Sequence, residues 1–428
     1  MKTKNLMRFC VFGLVLLWWP RVGLCQAIPS ANNTTVVVFS RHTFRGTSTK
    51  IGPTKISLPQ YGIDLAIPIV SYGQNATPQG LSIAEHSAAP GLQQAAALAV
   101  ATNAENQLFD GHWDEIRAEL STERTFWTGL YLRKGFEESN PQLNSAIKFT
   151  GCPLDPAKDK DAIDAVSSDH PIRVCVPPHA YRALIKASPD RPKLKNNFQN
   201  FLNTVRAAIG LGFPVEIPNP DYDDKGSLPK EYDQIASLAS IIEMIADLGP
   251  PLPQIFRTGD QAQLLRLGKM AVQRGVNGLG IRFFTSEPSP LSDAVSVIPV
   301  DYMMSRPRGS HTIVVSHDNM MSAIMSSLGI ISSSGPPDEW AFFPIESYVF
   351  AFGSSHVSVV RMRVEISEPD GAIPGNYASQ VVWKGSLSQW NEKVRTLKER
   401  AKTMDLCACH QPVTECEARL MKVVSYPR

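Results

Sequence analysis

Charge of one sign is what this 428-residue chain most plainly lacks: 42 Lys and Arg stand against 40 Asp and Glu, a formal +2. Nothing in that balance points to a nucleic-acid partner. Long apolar runs are missing as well. The longest, Phe9 to Trp19, is too short to span a bilayer, and no later segment approaches the length needed. Internal repeats, low-complexity tracts and long linkers are absent. With 43% hydrophobic and 19% charged residues, the chain has apolar material for the cores of two domains, which excludes a disordered protein.

The first residues carry their own signal. Lys2, Lys4 and Arg8 precede the apolar run, and Pro20, Arg21 and the small-residue exit Cys25-Gln26-Ala27 follow it. This is the pattern of a secretory signal peptide over 1–27. A lipoprotein anchored at Cys25 is disfavoured because Leu24 is large. The expected mature protein is soluble, free of the membrane, and secreted or periplasmic. Loss of four basic residues with the signal turns the formal charge to −2. Of seven cysteines, Cys152, Cys175, Cys407, Cys409 and Cys416 then remain in an oxidising compartment, enough for two disulfides and one leftover thiol. Cys407-Ala408-Cys409-His410 is spaced too tightly for an ordinary zinc site, so no metal is expected there.

Thr34 to Ser40 is a β-branched run that is apolar on both faces, the mark of a buried strand, and it ends at Arg41-His42. Thr312 to Ser316 repeats the pattern and ends at His317-Asp318. Open α/β sheets place ligands at such carboxyl ends. In the middle, Leu194 to Leu211, Glu231 to Leu248 and Gln261 to Gln273 have helical spacing, and strand-like runs are scarce from Gly151 to Val276. A helix is expected over Met320 to Leu328, and an antiparallel pair over Glu346 to Phe352 and Val357 to Ile366. The expected fold is α/β: a central mixed sheet flanked by helices, formed by 28–150 and 276–428, with a smaller all-α domain inserted at 151–275.

Nine histidines are present, and two are set apart by their neighbours. Arg41-His42-Thr43-Phe44-Arg45 places an imidazole between two guanidiniums. That crowding is expensive unless an anion sits among them, and two planar forks suit phosphate oxygens.

Together with Ser316-His317-Asp318-Asn319 and Ser121-Thr122-Glu123-Arg124-Thr125, this motif resembles those of the histidine acid phosphatases, the larger-chain branch that includes bacterial periplasmic glucose-1-phosphatases and phytases. The resemblance covers nearly the whole mature chain, and the order and rough spacing of the three motifs agree. It implies that His42 attacks phosphorus, that Arg41, Arg45, Arg124 and His317 surround the phosphate oxygens, and that Asp318 protonates the leaving alcohol. No metal or cofactor enters such a mechanism. It also implies the pairings Cys152–Cys175 and Cys407–Cys416. The sequence departs from the family at Thr43, Thr47 and Ser316, where a small residue or Asn, a proline and a glycine are usual.

Competing readings remain for single residues. Glu115 to Arg124 alternates apolar and charged residues like a surface element, which would make Arg124 a solvated side chain. For the whole chain the rivals are a phosphate-ester-binding protein without turnover and a mutase-like phosphoryl transferase. The substrate expected is a small-molecule phosphomonoester, glucose 1-phosphate-like sugar phosphates first and phytate second.

Overall fold

The computed structural model describes residues 34–43, 54–67, 78–103, 107–118, 123–150, 191–212, 214–219, parts of 229–238, 290–331, 345–365 and 376–402. The segment 1–27, Arg45, Thr47 and all of Cys152, Cys175, Cys407, Cys409 and Cys416 lie outside the described residues, as does most of 151–275.

A seven-stranded mixed sheet organises the rest. Its strands are β1 (Thr35–Arg41), β4 (Glu115–Ala118), β5 (Lys148–Thr150), β6 (His311–Ser316), β7 (Ser347–Phe352), β8 (His356–Glu365) and β9 (Asn376–Ser386), in the order β5-β4-β6-β1-β7-β8-β9. A separate hairpin pairs β2 (Thr54–Leu58) with β3 (Ile63–Ile67). Strands β5, β4, β6 and β1 run parallel, whereas β7, β8 and β9 add antiparallel. Every residue of β1 is buried, because it is hydrogen-bonded to β6 on one side and β7 on the other and is covered on both faces.

The two-residue period of β1 divides its side chains between two cores. Val36 and Val38 join Ile313, Val315, Val349 and Ala351 beneath helices α2 (Ala89–Thr102) and α3 (Glu123–Ser139). Val37 and Phe39 join Val314 and Phe350 beneath α6 (Pro290–Met304), α7 (Asp318–Ser327) and α8 (Leu387–Ala401). Cations secure the carboxyl end of α7, where exposed carbonyls attract them: Lys393 Nζ donates to the Leu328 carbonyl at 2.9 Å and Arg400 to that of Ser327 at 2.7 Å. Among the described residues no helix is long and apolar enough to cross a membrane.

Within 151–275 the described part includes a helix, Arg191–Ala208, called α5; α4 is the short helix Pro141–Asn144. Phe198, Phe201, Leu202 and Val205 form its buried stripe, and the Phe198 ring meets that of Tyr232 at 4.8 Å between centroids.

Ahead of α2, helix α1 (Pro78–Ile83) passes through a π-turn at Ala84–Ala88. Pro90 explains the wider turn, because it lacks the N–H that the carbonyl four residues earlier needs and its ring crowds that carbonyl. Helix α3 packs tightly here: a Cβ on Gly135 would lie 2.2 Å from the Glu85 carbonyl oxygen and 2.8 Å from the Ala89 Cβ. Backbone cannot give way as a flexible side chain can. Gly135→Ala should therefore destabilise the fold by about 1–3 kcal/mol, whereas Gly212→Ala, where no described atom lies within 4 Å, should be close to neutral. Urea unfolding of both variants checks this, and equal midpoints would contradict the packing.

Candidate active site

Three neighbouring parallel strands, β4, β6 and β1, end on the same edge of the sheet, and each leads into a residue of one cluster. β1 ends at Arg41 and delivers His42. β6 ends at Ser316 and delivers His317 and Asp318, with His317 as the N-cap of α7. β4 leads to Arg124 in the first turn of α3. The amino ends of two helices thus approach one place, each contributing the positive end of a helix dipole.

Backbone contacts hold His42 on both sides. Its N–H donates to the Ser316 carbonyl at 2.9 Å and its own carbonyl accepts from Ile345 N–H at 3.3 Å; Arg41 N–H donates to the Glu346 carbonyl at 2.9 Å. The imidazole is 3% exposed, and its Nδ1 lies 2.7 Å from the Thr43 carbonyl oxygen. A carbonyl only accepts, so the ring proton sits on Nδ1 and Nε2 keeps its lone pair.

The surroundings keep that lone pair available. Burial, then the charges of Arg124, His317 and Arg41, push His42 well below the ordinary imidazole value of 6.5, with only the Thr43 hydrogen bond pulling upward. The His42 and His317 rings meet edge to face, 5.0 Å between centroids. Arg124 Nη2 makes a long contact of 3.5 Å with His317 Nδ1, and Arg41 Nη2 lies 3.7 Å from Asp318 Oδ2. Arg41, His42, Arg124, His317 and Asp318 are therefore brought together. Such a concentration of positive charge under low exposure is chemically suited to an anion, with donors enough to surround a tetrahedral oxyanion.

Two expectations need correction or completion. Glu115–Ala118 is a sheet strand with Glu115, Ile116 and Ala118 buried, so the surface reading fails for those four residues, and Arg124 in the first turn of α3 is half-buried. The alternation misled because Arg117, Lys148 and Arg306 each lie within 4 Å of the Glu115 carboxylate, which satisfies its charge inside the fold. Thr43 and Ser316 are both buried, so neither departure from the family pattern exposes a side chain to solvent.

The sequence reading missed Glu346. Its carboxylate is wholly buried, accepting from Arg361 Nε at 2.6 Å and Arg363 Nε at 2.9 Å, and so fixes the segment whose backbone meets Arg41 and His42. Its signal was a lone acid at the head of an apolar strand, followed by two arginines at strand spacing. Beside it Ile345 has φ +61°, a costly conformation for a β-branched residue.

Only one cluster among the described residues has donor atoms grouped as for a metal: Glu85, His86 and Glu138. The Lys134 ammonium already lies there, 2.5 Å from Glu85 Oε1 and 3.7 Å from Glu138 Oε1.

No protein-family model and no curated protein matches the sequence. Solved structures do. The chain is similar to the phytase of Hafnia alvei solved with tartrate (TM-score 0.54, 15% identity, 85% of this chain and 97% of that one). It is equally similar to the phytase of Citrobacter braakii (0.54, 15%, 85% and 97%), and is similar to that of Klebsiella sp. ASR1 (0.52, 14%, 87% and 96%). These likenesses show the fold alone, an α/β architecture with a mixed sheet and flanking helices that the chain shares with those phytases.

The depressed proton affinity of His42 has a consequence for stability. Unfolded, His42 takes up a proton near pH 6.5; folded and ligand-free, it does so only at lower pH. The unfolded state thus binds more protons in that window, and stability falls as pH drops below about 6.5, by at most about 1.4 kcal/mol per pH unit from this group. Between pH 7 and 5 the Tm of the ligand-free protein should drop more than that of His42→Asn, and orthophosphate should reduce the drop. Parallel Tm curves for the two proteins would contradict the burial of a neutral imidazole.

Proposed function

We propose that the protein is an exported histidine acid phosphatase that hydrolyses small phosphomonoesters through a phosphohistidine on His42. The observation that carries this reading is the buried His42 ring, whose proton the Thr43 carbonyl holds on Nδ1 and which is set among Arg41, Arg124 and His317.

In the first step the Nε2 lone pair attacks phosphorus and the bond from phosphorus to the ester oxygen breaks. Asp318 delivers its proton to that oxygen and is left as a carboxylate. Charge on the equatorial oxygens is met by Arg41, Arg124, His317 and Arg45, the last on the motif alone. In the second step a water gives its proton to the Asp318 carboxylate and attacks phosphorus. Phosphate leaves with the N–P electron pair returned to His42, so both groups end as they began. A nucleophile that stays neutral on mild acidification is compatible with a proton donor that must be protonated to act.

Export rests on the signal pattern at 1–27, and the disulfides Cys152–Cys175 and Cys407–Cys416 and the helical insertion at 151–275 belong to the same proposal. Sugar phosphates such as glucose 1-phosphate and inositol phosphates are the candidate substrates, the second supported by the phytase likeness in fold. Retention of both His42 and Asp318 favours turnover over binding alone, which needs neither.

The leaving group tests the assignment of Asp318. A sugar alkoxide leaves poorly without a proton and a nitrophenolate leaves without one. Asp318→Asn should lose about 10²–10⁴-fold in phosphoenzyme formation from glucose phosphate and far less from nitrophenyl phosphate, measured under single-turnover conditions. Equal losses would make Asp318 a phosphate-holding group and remove it as the acid.

A further inference from the structure

We infer that Thr128 is a positioning residue whose hydroxyl links the loop that orients the His42 nucleophile to the Arg124 phosphate-binding helix end. The inference rests on the phosphohistidine reading above.

Thr128 lies one turn after Arg124 in α3 and is fully buried. Its Oγ1 is 2.6 Å from the Arg124 carbonyl oxygen and 3.0 Å from the Thr43 backbone nitrogen. Each direction is forced. The Arg124 carbonyl only accepts, so it takes the hydroxyl proton; the Thr43 N–H only donates, so it fills an Oγ1 lone pair. A helical threonine often bonds back to the carbonyl four residues earlier, a purely local arrangement. Here the same oxygen also accepts from a loop 85 residues away in sequence.

Thr43 passes the constraint on. Its N–H is held by Thr128, and its carbonyl accepts the Nδ1 proton of His42 at 2.7 Å. Two links therefore share the Thr43 backbone, one from His42 Nδ1–H to the Thr43 carbonyl and one from the Thr43 N–H through the Thr128 hydroxyl to the Arg124 carbonyl. The two links meet at the Thr43 Cα, so fixing the Thr43 N–H restricts where the Thr43 carbonyl can lie. One end orients the attacking nitrogen. The other belongs to the residue that would hold the phosphate oxygens. Without the hydroxyl, Thr43 is tied to α3 by no hydrogen bond among the described residues, and the carbonyl that orients His42 can shift with it.

Thr128→Val keeps the volume and deletes the acceptor; Thr128→Ser keeps the acceptor. After wild-type protein has been shown to carry phosphate on His42, single-turnover phosphoenzyme formation is measured for both variants as a function of pH. Thr128→Val should be roughly 10–100-fold slower at saturating substrate, as sub-ångström to ångström misplacement implies, and Thr128→Ser close to wild type. The acidic limb should also move to lower pH in Thr128→Val, since weakening the Thr43 hydrogen bond removes what pulls the His42 proton affinity upward. The charged groups facing the ring, Arg41, Arg124 and His317, are unchanged in both variants, as is Asp318 beside Arg41.

A merely structural role would lower Tm and leave the rate and the acidic limb of the folded protein as in wild type; that result overturns the inference. If Thr128→Val does not fold, Thr128→Ala replaces it. Failure of both to fold, with Thr128→Ser at wild-type rate, would make the hydroxyl a folding determinant and also overturn it. Absence of phosphohistidine in the wild type is a separate result, and it would count against the functional reading instead.

Discussion

The hydrogen bond from His42 Nδ1 to the Thr43 carbonyl is the constraint on which the site depends. It decides which nitrogen carries the proton, and by doing so it leaves the Nε2 lone pair of a buried histidine for the nucleophilic role proposed above. The same bond would also favour a protonated ring, and a charged ring cannot attack. Burial and three cationic or imidazole neighbours outweigh it, so the ring is both oriented and neutral. Orientation and charge state thus come from opposing forces.

Placing that ring requires the fold. Parallel alignment of β4, β6 and β1 brings residues far apart in sequence to one edge, and α3 and α7 start where those strands end. The antiparallel side of the sheet contributes differently. Glu346 is buried without exposure and would be prohibitively costly alone, but Arg361 and Arg363 on β8 neutralise it. The segment it anchors supplies the carbonyl for Arg41 and the N–H for His42, and it contains the strained Ile345. Strain in the backbone, as at Ile345 beside His42, is sustained only where surrounding contacts determine the conformation. The buried ion pairs supply that determination.

Much of this was legible in the sequence. β1 and β6 were readable because both faces of a central strand must be apolar, and the observed strands differ from the expected ones only at their ends. The β7 and β8 pair was readable for similar reasons, as was α7 following its strand. Arg41, His42, His317 and Asp318 stood out because charges at the ends of apolar strands need a reason. Arg124 was reached only through the resemblance, since the strand before it carries charges neutralised by partners distant in sequence, and alternation alone cannot tell that from a wet surface. Strand β9 was hidden by its half-exposed residues. Thr128 carries a common local hydrogen bond, and its second partner exists only once the chain has folded.

The most direct test of the account is to quench the purified mature protein in alkali within milliseconds of mixing with a labelled phosphomonoester, and to locate the label by peptide mass spectrometry. Phosphate should be found on the His42 imidazole, on Nε2 by ³¹P NMR, and no labelled peptide should be recovered from His42→Ala. Turnover at normal rate by His42→Ala, or label on any other residue, would contradict it.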